Sequence, residues 1–89
     1  MEYRKRGDGM VIKIIGSNCS NGIKLKKMVA KYADDCDNVE VKILDNEKDR
    51  IGYQVKNIPG LIINDQLVSQ GKVLTVREIS RLVNEATPA

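Results

Sequence analysis

The sequence predicts an α/β fold in which a mixed four-stranded sheet carries helices on both faces. Two observations support this: strand patterns alternate with helix patterns in the first half, and a hairpin followed by a helix closes the second half. A helical crossover joins parallel strands, whereas a tight turn joins antiparallel ones. The predicted order is β-α-β-α-β-β-α, and 89 residues accommodate it as one domain.

The first strand is predicted over residues 11–15, a run of β-branched side chains typical of a central strand covered on both faces. A helix is predicted from about Cys19 to Asp35, because apolar residues recur there with helical spacing. The residues of this apolar stripe are Leu25, Met28, Val29, Tyr32, Ala33 and Cys36. Cys36 is therefore expected to be a small core residue.

The second strand is predicted over residues 39–44, where alternation places Val39, Val41 and Ile43 towards the core. A short helix follows within residues 45–54. Asn46 is its expected N-cap, with Ile51 and Val55 on one face.

Residues 61–69 are predicted to form a β-hairpin whose turn is Asn64-Asp65-Gln66, with Gly71 closing it. Thr75 and Glu78 have the spacing of a capping box. They introduce a last helix whose apolar face is Val76, Ile79, Leu82 and Val83.

The domain is assigned to residues 10–85. Residues 1–9 are polar and basic and are expected to be a disordered lead-in, and residues 86–89 are expected to be a frayed tail.

Composition excludes several classes of function. The net charge of +3 is small and only three aromatic residues occur, all Tyr, so no nucleic-acid surface is predicted. The chain contains no His, which removes Cys-His nucleophile pairs and most zinc sites, and no metal site is predicted. No apolar run is long enough for a membrane span or a secretory signal. We therefore expect a cytoplasmic protein with reduced thiols.

One segment has the surroundings of a reactive thiol. The residues Gly16-Ser17-Asn18-Cys19-Ser20-Asn21-Gly22 join the first strand to the N-terminus of the first helix. Unpaired N–H groups and the helix dipole stabilise negative charge there, and the thiolate is the nucleophile in thiol-disulfide exchange. Cys19 is therefore the candidate nucleophile.

This arrangement, with Cys19 after the first strand and Ile58-Pro59-Gly60 before the hairpin, resembles the thioredoxin and glutaredoxin superfamily over residues 11–83. The resemblance is closest to the small redox-active-disulfide proteins of archaea and bacteria. It implies that Cys19 attacks a substrate disulfide and that Pro59 is a cis-proline facing it. The position of the second, resolving cysteine is Gly22.

Cys36 is not expected to replace the resolving cysteine. It lies 17 residues from Cys19 along one helix, about 25 Å away at ~1.5 Å per residue, whereas a disulfide needs Cα atoms within ~7 Å. The resemblance thus favours a monothiol oxidoreductase whose adduct is resolved by an external thiol. Its substrate-binding residues would be Ser17, Asn18, Ser20, Gly22, Ile58 and Pro59.

Two other functions remain open. One is a redox-inactive binding module that holds a peptide or protein in the groove between Cys19 and Pro59. The other is cluster or metal carriage by Cys19 from two subunits, although Cys19-Ser20-Asn21-Gly22 departs from the Cys-Gly-Phe-Ser motif of monothiol glutaredoxins. For the oxidoreductase we expect a monomer without bound cofactor, whose partner is a disulfide-containing protein or glutathione as co-substrate.

Overall fold

The computed structural model describes residues 10–36 and 39–86, and the predicted order of elements is confirmed. Residues 1–9, the predicted lead-in, lie outside the described residues, as do residues 87–89 of the predicted tail. Ala86 is the last residue of the final helix. The elements are β1 (Met10–Ile15), α1 (Ser20–Asp34), β2 (Val39–Leu44), α2 (Glu47–Gly52), β3 (Gly60–Ile63), β4 (Gln66–Gln70) and α3 (Val76–Ala86).

The sheet has the strand order β2-β1-β3-β4. The pairing of β1 with β2 is parallel and that of β3 with β4 is antiparallel, as predicted. The structure also pairs β1 with β3, in an antiparallel arrangement. Because β1 and β2 are parallel, their carboxyl ends meet at the same edge of the sheet. The loops that follow both strands are therefore neighbours.

The hairpin between β3 and β4 turns at two residues with left-handed backbone, Asn64 (φ 50°) and Asp65 (φ 67°). Two positive φ values are the geometry that matches the twist of the flanking strands. Gly71, also with positive φ, donates its N–H to the carbonyl of Pro59 at 2.9 Å. This bond ties the end of the hairpin to the segment that precedes β3.

Two apolar clusters occupy the two faces of the sheet. The larger one joins Ile12 and Ile14 of β1 to Leu25 and Val29 of α1 and to Ile79 of α3. The smaller one packs Ile15, Ile62 and Val55 together on the opposite face, beside α2. All of these side chains are aliphatic, and burying them supplies most of the driving force for folding.

Two predicted core positions, Ile43 and Cys36, and one predicted helix face, that of Ile51 and Val55, are wrong or only partly right. Ile43 is 40% exposed, because β2 is the edge strand and no described element flanks its outer side. Ile51 is 71% exposed. It does not share a helix face with Val55, because α2 ends at Gly52 and the chain then turns to bury Val55 alone. Cys36 lies beyond the end of α1 and is only half-buried, in a groove between α1 and α3.

A polar network crosses the face of the sheet next to α2. Lys13 of β1 donates from Nζ to the hydroxyl of Tyr53 and to the carboxylate of Asp65, both at 2.9 Å. The Tyr53 hydroxyl donates to the same carboxylate at 3.1 Å. The hydrogen bond from Lys13, and next the one from Tyr53, lower the pKa of Asp65. The bonds to Tyr53 and Asp65 raise the pKa of Lys13.

Replacement of Asp65 by Asn should make the free energy of unfolding depend less on pH in the acid range. A carboxyl whose pKa is lowered on folding stabilises the fold above its unfolded pKa of about 3.9, and that contribution disappears as the pH falls through the folded pKa. The wild-type chain should therefore be more stable than Asp65→Asn at pH 7, and the difference should shrink at a pH well below the unfolded pKa, where Asp65 becomes protonated. Urea unfolding at both pH values measures it. Asp34→Asn, an exposed carboxylate outside the network, is the control, and a pH-independent difference for Asp65→Asn would contradict the interpretation.

Candidate functional site

Cys19 is the N-cap of α1. Its backbone is extended (φ −80°, ψ 165°), and its Sγ accepts a hydrogen bond from the N–H of Gly22 at 3.2 Å. The thiol in turn donates to the carbonyl of Gly16 at 3.4 Å. A sulfur atom thus occupies the place that a Ser, Thr or Asp oxygen usually takes at the start of a helix. The sulfur therefore lies at the positive end of the α1 dipole, beside the N–H groups of the first helical turn.

Gly22 is buried where the loop after β1 packs against the first turn of α1. A Cβ atom at this position would lie 2.8 Å from the Cα of Ser17 and 2.9 Å from its carbonyl carbon. The carbonyl oxygen of Gly16 would be closer still. All three are backbone atoms, which cannot rotate away as a flexible side chain can. With this backbone, the position has no room for the side chain of a second cysteine.

The segment before β3 lies directly against the Cys19 loop. Gly16 has φ +82°, and a Cβ built on it would be 2.5 Å from the Cβ of Ile58, so the two backbones approach closely only because residue 16 is Gly. The peptide bond between Ile58 and Pro59 is cis. Pro59 is buried, whereas Ile58 is 37% exposed beside the cysteine loop.

An open pocket of about 360 Å³ lies next to the sulfur of Cys19. The end of β1 and its loop form one side, and Ile58 forms part of the apolar lining. The start of α2 supplies the charged and amide groups. The residues of this second group are Asp45, Asn46, Glu47 and Arg50.

The structure brings three of the predicted site residues together at the pocket, Cys19, Asn18 and Ile58. The other four do not line it. Pro59 is buried behind Ile58, and Gly22 is buried under the loop, where only its N–H reaches the sulfur. Ser20 is exposed at the first turn of α1.

Ser17 has a different environment from the one predicted for a substrate-binding residue. It is only 2% exposed, and its hydroxyl donates to the carboxylate of Asp45 at 3.0 and 3.2 Å. Its N–H donates to the same carboxylate at 3.1 Å. Ser17 therefore fastens the cysteine loop to the end of β2 and does not face the pocket.

Sequence reasoning missed the contribution of α2 to the pocket. Asn46 was recognised as a helix cap, and its side chain accepts from the N–H of Asp49 at 2.8 Å. The parallel pairing of β1 and β2 was also expected, and together these two inferences place the start of α2 beside Cys19. Arg50 is held at the pocket by a hydrogen bond from its Nε to the carbonyl of Val55 at 3.3 Å, which no sequence pattern indicates.

The part of the chain that the structure describes holds neither a metal cluster nor a membrane-spanning helix. Within residues 10–36 and 39–86, no cluster of three or more His, Cys, Asp or Glu side chains is arranged to hold a metal ion. None of the described helices is both long enough and apolar enough to cross a membrane. Cys19 and Cys36 are both free thiols.

Comparison with known proteins identifies the family. Residues 10–84 match the model of a thioredoxin domain. The chain belongs to the thioredoxin-domain family. A search of curated proteins found no match.

Solved structures of similar fold include two thioredoxins. A variant thioredoxin from Halobacterium salinarum NRC-1 has a TM-score of 0.73 at 16% identity, covering 99% of this chain and 83% of that one. A thioredoxin-2 of a malaria parasite, described as a component of its protein secretion machinery, has a TM-score of 0.71 at 13% identity, covering 88% and 84%. These low identities establish the fold alone. The predicted thioredoxin-like architecture, the fold type of thiol-disulfide oxidoreductases, is thereby confirmed.

Replacement of Gly22 by Ala should destabilise the protein. The added Cβ would collide with the backbone of residues 16 and 17, and overpacking of this kind costs about 1–3 kcal/mol. Gly52→Ala is the matched control, because a Cβ there has no atom within 4 Å and Ala favours a helix over Gly by up to about 1 kcal/mol. Urea unfolding measures the free energy of unfolding of both variants. Equal values for Gly22→Ala and Gly52→Ala would contradict the prediction, because the loop after β1 would then have moved to accommodate the added Cβ.

Proposed function

We propose that the protein is a monothiol thiol-disulfide oxidoreductase whose nucleophile is Cys19. The observation that carries the proposal is the combination of two features of Gly22. Its N–H donates to the Cys19 sulfur, and its missing side chain lets the loop pack so closely that a second cysteine has no space. The site therefore favours attack by one thiolate and offers no resolving thiol of its own.

In the first step the Cys19 thiolate attacks one sulfur of a substrate disulfide. A sulfur-sulfur bond forms between Cys19 and that half of the substrate, the substrate's own bond breaks, and the other half leaves as a thiolate that takes up a proton. The Gly22 N–H donates to the attacking sulfur and holds it at the start of α1, beside the pocket.

In the second step an external thiolate attacks the mixed disulfide on the substrate sulfur. Cys19 is released as the thiolate, and the external thiol becomes disulfide-bonded to the first half of the substrate. Glutathione suits this role because it is small enough for an open pocket of about 360 Å³ beside the sulfur. The reaction needs no bound cofactor, and cytoplasm, where glutathione is reduced, is the proposed location.

The groove on the Ile58 side of Cys19 is proposed to hold the substrate chain. The backbone of Ile58, just before the cis peptide bond, would pair with an extended substrate segment, a form of strand addition. Asn18 and Ile58 would contact the substrate near the reacting sulfur, while Ser17, Gly22 and Pro59 shape the backbone around it. Ser20 would contact the substrate from the exposed first turn of α1.

The proposal is tested by the reactivity of each thiol. Cys19 should react with iodoacetamide at pH 7 about tenfold faster than a free cysteine, because its sulfur caps the N-terminus of α1, accepts the Gly22 N–H and borders an open pocket. Treatment with oxidised glutathione should add one glutathione to the protein, detected by mass spectrometry. Cys19→Ser should abolish the adduct, and Cys36→Ser is the matched control that should keep it.

A Cys19 that reacts no faster than a free cysteine and forms no adduct would overturn the oxidoreductase. The redox-inactive binding module would then be favoured if a partner protein still bound to Cys19→Ala. An apolar residue exposed beside the pocket, Ile58, is the feature such a module would use.

A further inference from the structure

The strand β2 forms one edge of the sheet, and among the described residues it pairs only with β1. Its six residues keep an unbroken register with β1, without a bulge. The opposite edge of the sheet, formed by β4, is irregular. There the β3–β4 register shifts between Leu61 and Ile62, and the Gln70 side chain accepts the N–H groups of Lys56 and Asn57. A regular edge without a bulge is a template for another strand.

The sequence of β2 is complementary to itself when read in the opposite direction. We propose that two copies of the chain pair through β2 in an antiparallel arrangement whose two-fold axis passes beside Val41. In this register Glu40 of each copy lies opposite Lys42 of the other. Val39 lies opposite Ile43 of the other copy, and the two Val41 residues face each other.

The two faces of β2 agree with this register. Val39 and Val41 contact the larger apolar cluster, and Ile43 continues their face but is 40% exposed. Directly opposed residues of antiparallel strands share a face and contact each other. Pairing would therefore cover Ile43 with Val39 of the second copy and extend the apolar face through a continuous eight-stranded sheet.

The charges of Glu40 and Lys42 favour this register over registers shifted by one or two residues. A slip of two residues in one direction would oppose Glu40 to Glu40, and in the other direction Lys42 to Lys42. Like charges directly opposed are destabilising. A slip of one residue would set the charged face of one strand against the apolar face of the other.

Among the described residues of its own chain, Lys42 has only a long ion pair. Its neighbour across the β1–β2 pair is Lys13, whose charge is already matched by Asp65. Within residues 10–36 and 39–86, the carboxylate in ion-pair distance of Lys42 is that of Glu40, at a long 3.9 Å. Glu40 of a second copy would supply the missing opposite charge on the same face.

The interface of one strand pair is small, so its dissociation constant should be on the order of 100 µM. The chain would then be a monomer at low micromolar concentration, as expected from the sequence, and a dimer near millimolar concentration. Sedimentation velocity from about 10 µM to about 1 mM spans this range.

Charge variants test the register. Lys42→Glu and Glu40→Lys should each weaken self-association about tenfold or more, because each puts like charges opposite one another twice. An equimolar mixture of these two variants should associate as heterodimers, and the double swap Glu40→Lys/Lys42→Glu should associate as the wild type does. Lys48→Glu, the same charge change on exposed α2, is the matched control and should leave association unchanged.

The proposal would be overturned by a wild-type chain that stays monomeric at about 1 mM, by a Lys42→Glu variant that associates like the wild type, or by a mixture that fails to restore association. Association seen only after removal of residues 1–9 would also overturn it, because the chain's own N-terminal segment would then cover β2. Circular dichroism of each variant establishes that the fold is intact.

Discussion

The close contact between the backbone of α1 and the loop after β1 is the constraint on which the site depends. It exists because Gly22 has no side chain, and it sets three things at once. The Gly22 N–H reaches the Cys19 sulfur, the loop is pressed against α1, and Ser17 is brought within hydrogen-bond distance of Asp45. Since Asp45 follows β2, the contact also links the cysteine to the second parallel strand. A side chain at position 22 would disturb all of these together.

The central strand β1 makes this constraint possible. It contributes Ile12 and Ile14 to one cluster and Ile15 to the other, so both faces of the sheet are anchored to it. Because the carboxyl end of β1 is held by both clusters, the turn that begins at Gly16 starts from a fixed position. Lys13, the one charged residue in the strand, is tolerated because Tyr53 and Asp65 satisfy its ammonium group. Polar residues in a central strand need partners of this kind.

Much of the fold could be predicted from the sequence because local patterns and tertiary packing agree. The β-branched run of β1, the apolar stripe of α1 and the capping box of Thr75 and Glu78 each predict the observed element. The exposure of Ile43 and Ile51 could not be predicted, since it depends on which strand lies at the edge and where α2 stops. Periodicity carries no information on either point.

The site was predicted in part for the same reason. The position of Cys19 follows from the local strand-loop-helix order, whereas the α2 side of the pocket and the burial of Ser17 arise from residues distant in sequence. The Asp45 carboxylate contacts Ser17 across 28 positions of the chain, and no local pattern reports such a contact.

The cap formed by Cys19 also connects helix stability to the chemical state of the sulfur. The same atom accepts the Gly22 hydrogen bond and is the proposed nucleophile. A thiolate is a stronger acceptor than the neutral sulfur of a disulfide, so the start of α1 is held more firmly in the reduced, ionised form than in an adduct. By thermodynamic linkage, a change that stabilises this helical turn must also shift the equilibrium from the adduct towards the free thiolate. In the proposed reaction, the first turn of α1 would thus both hold the attacking sulfur and favour its return from the adduct.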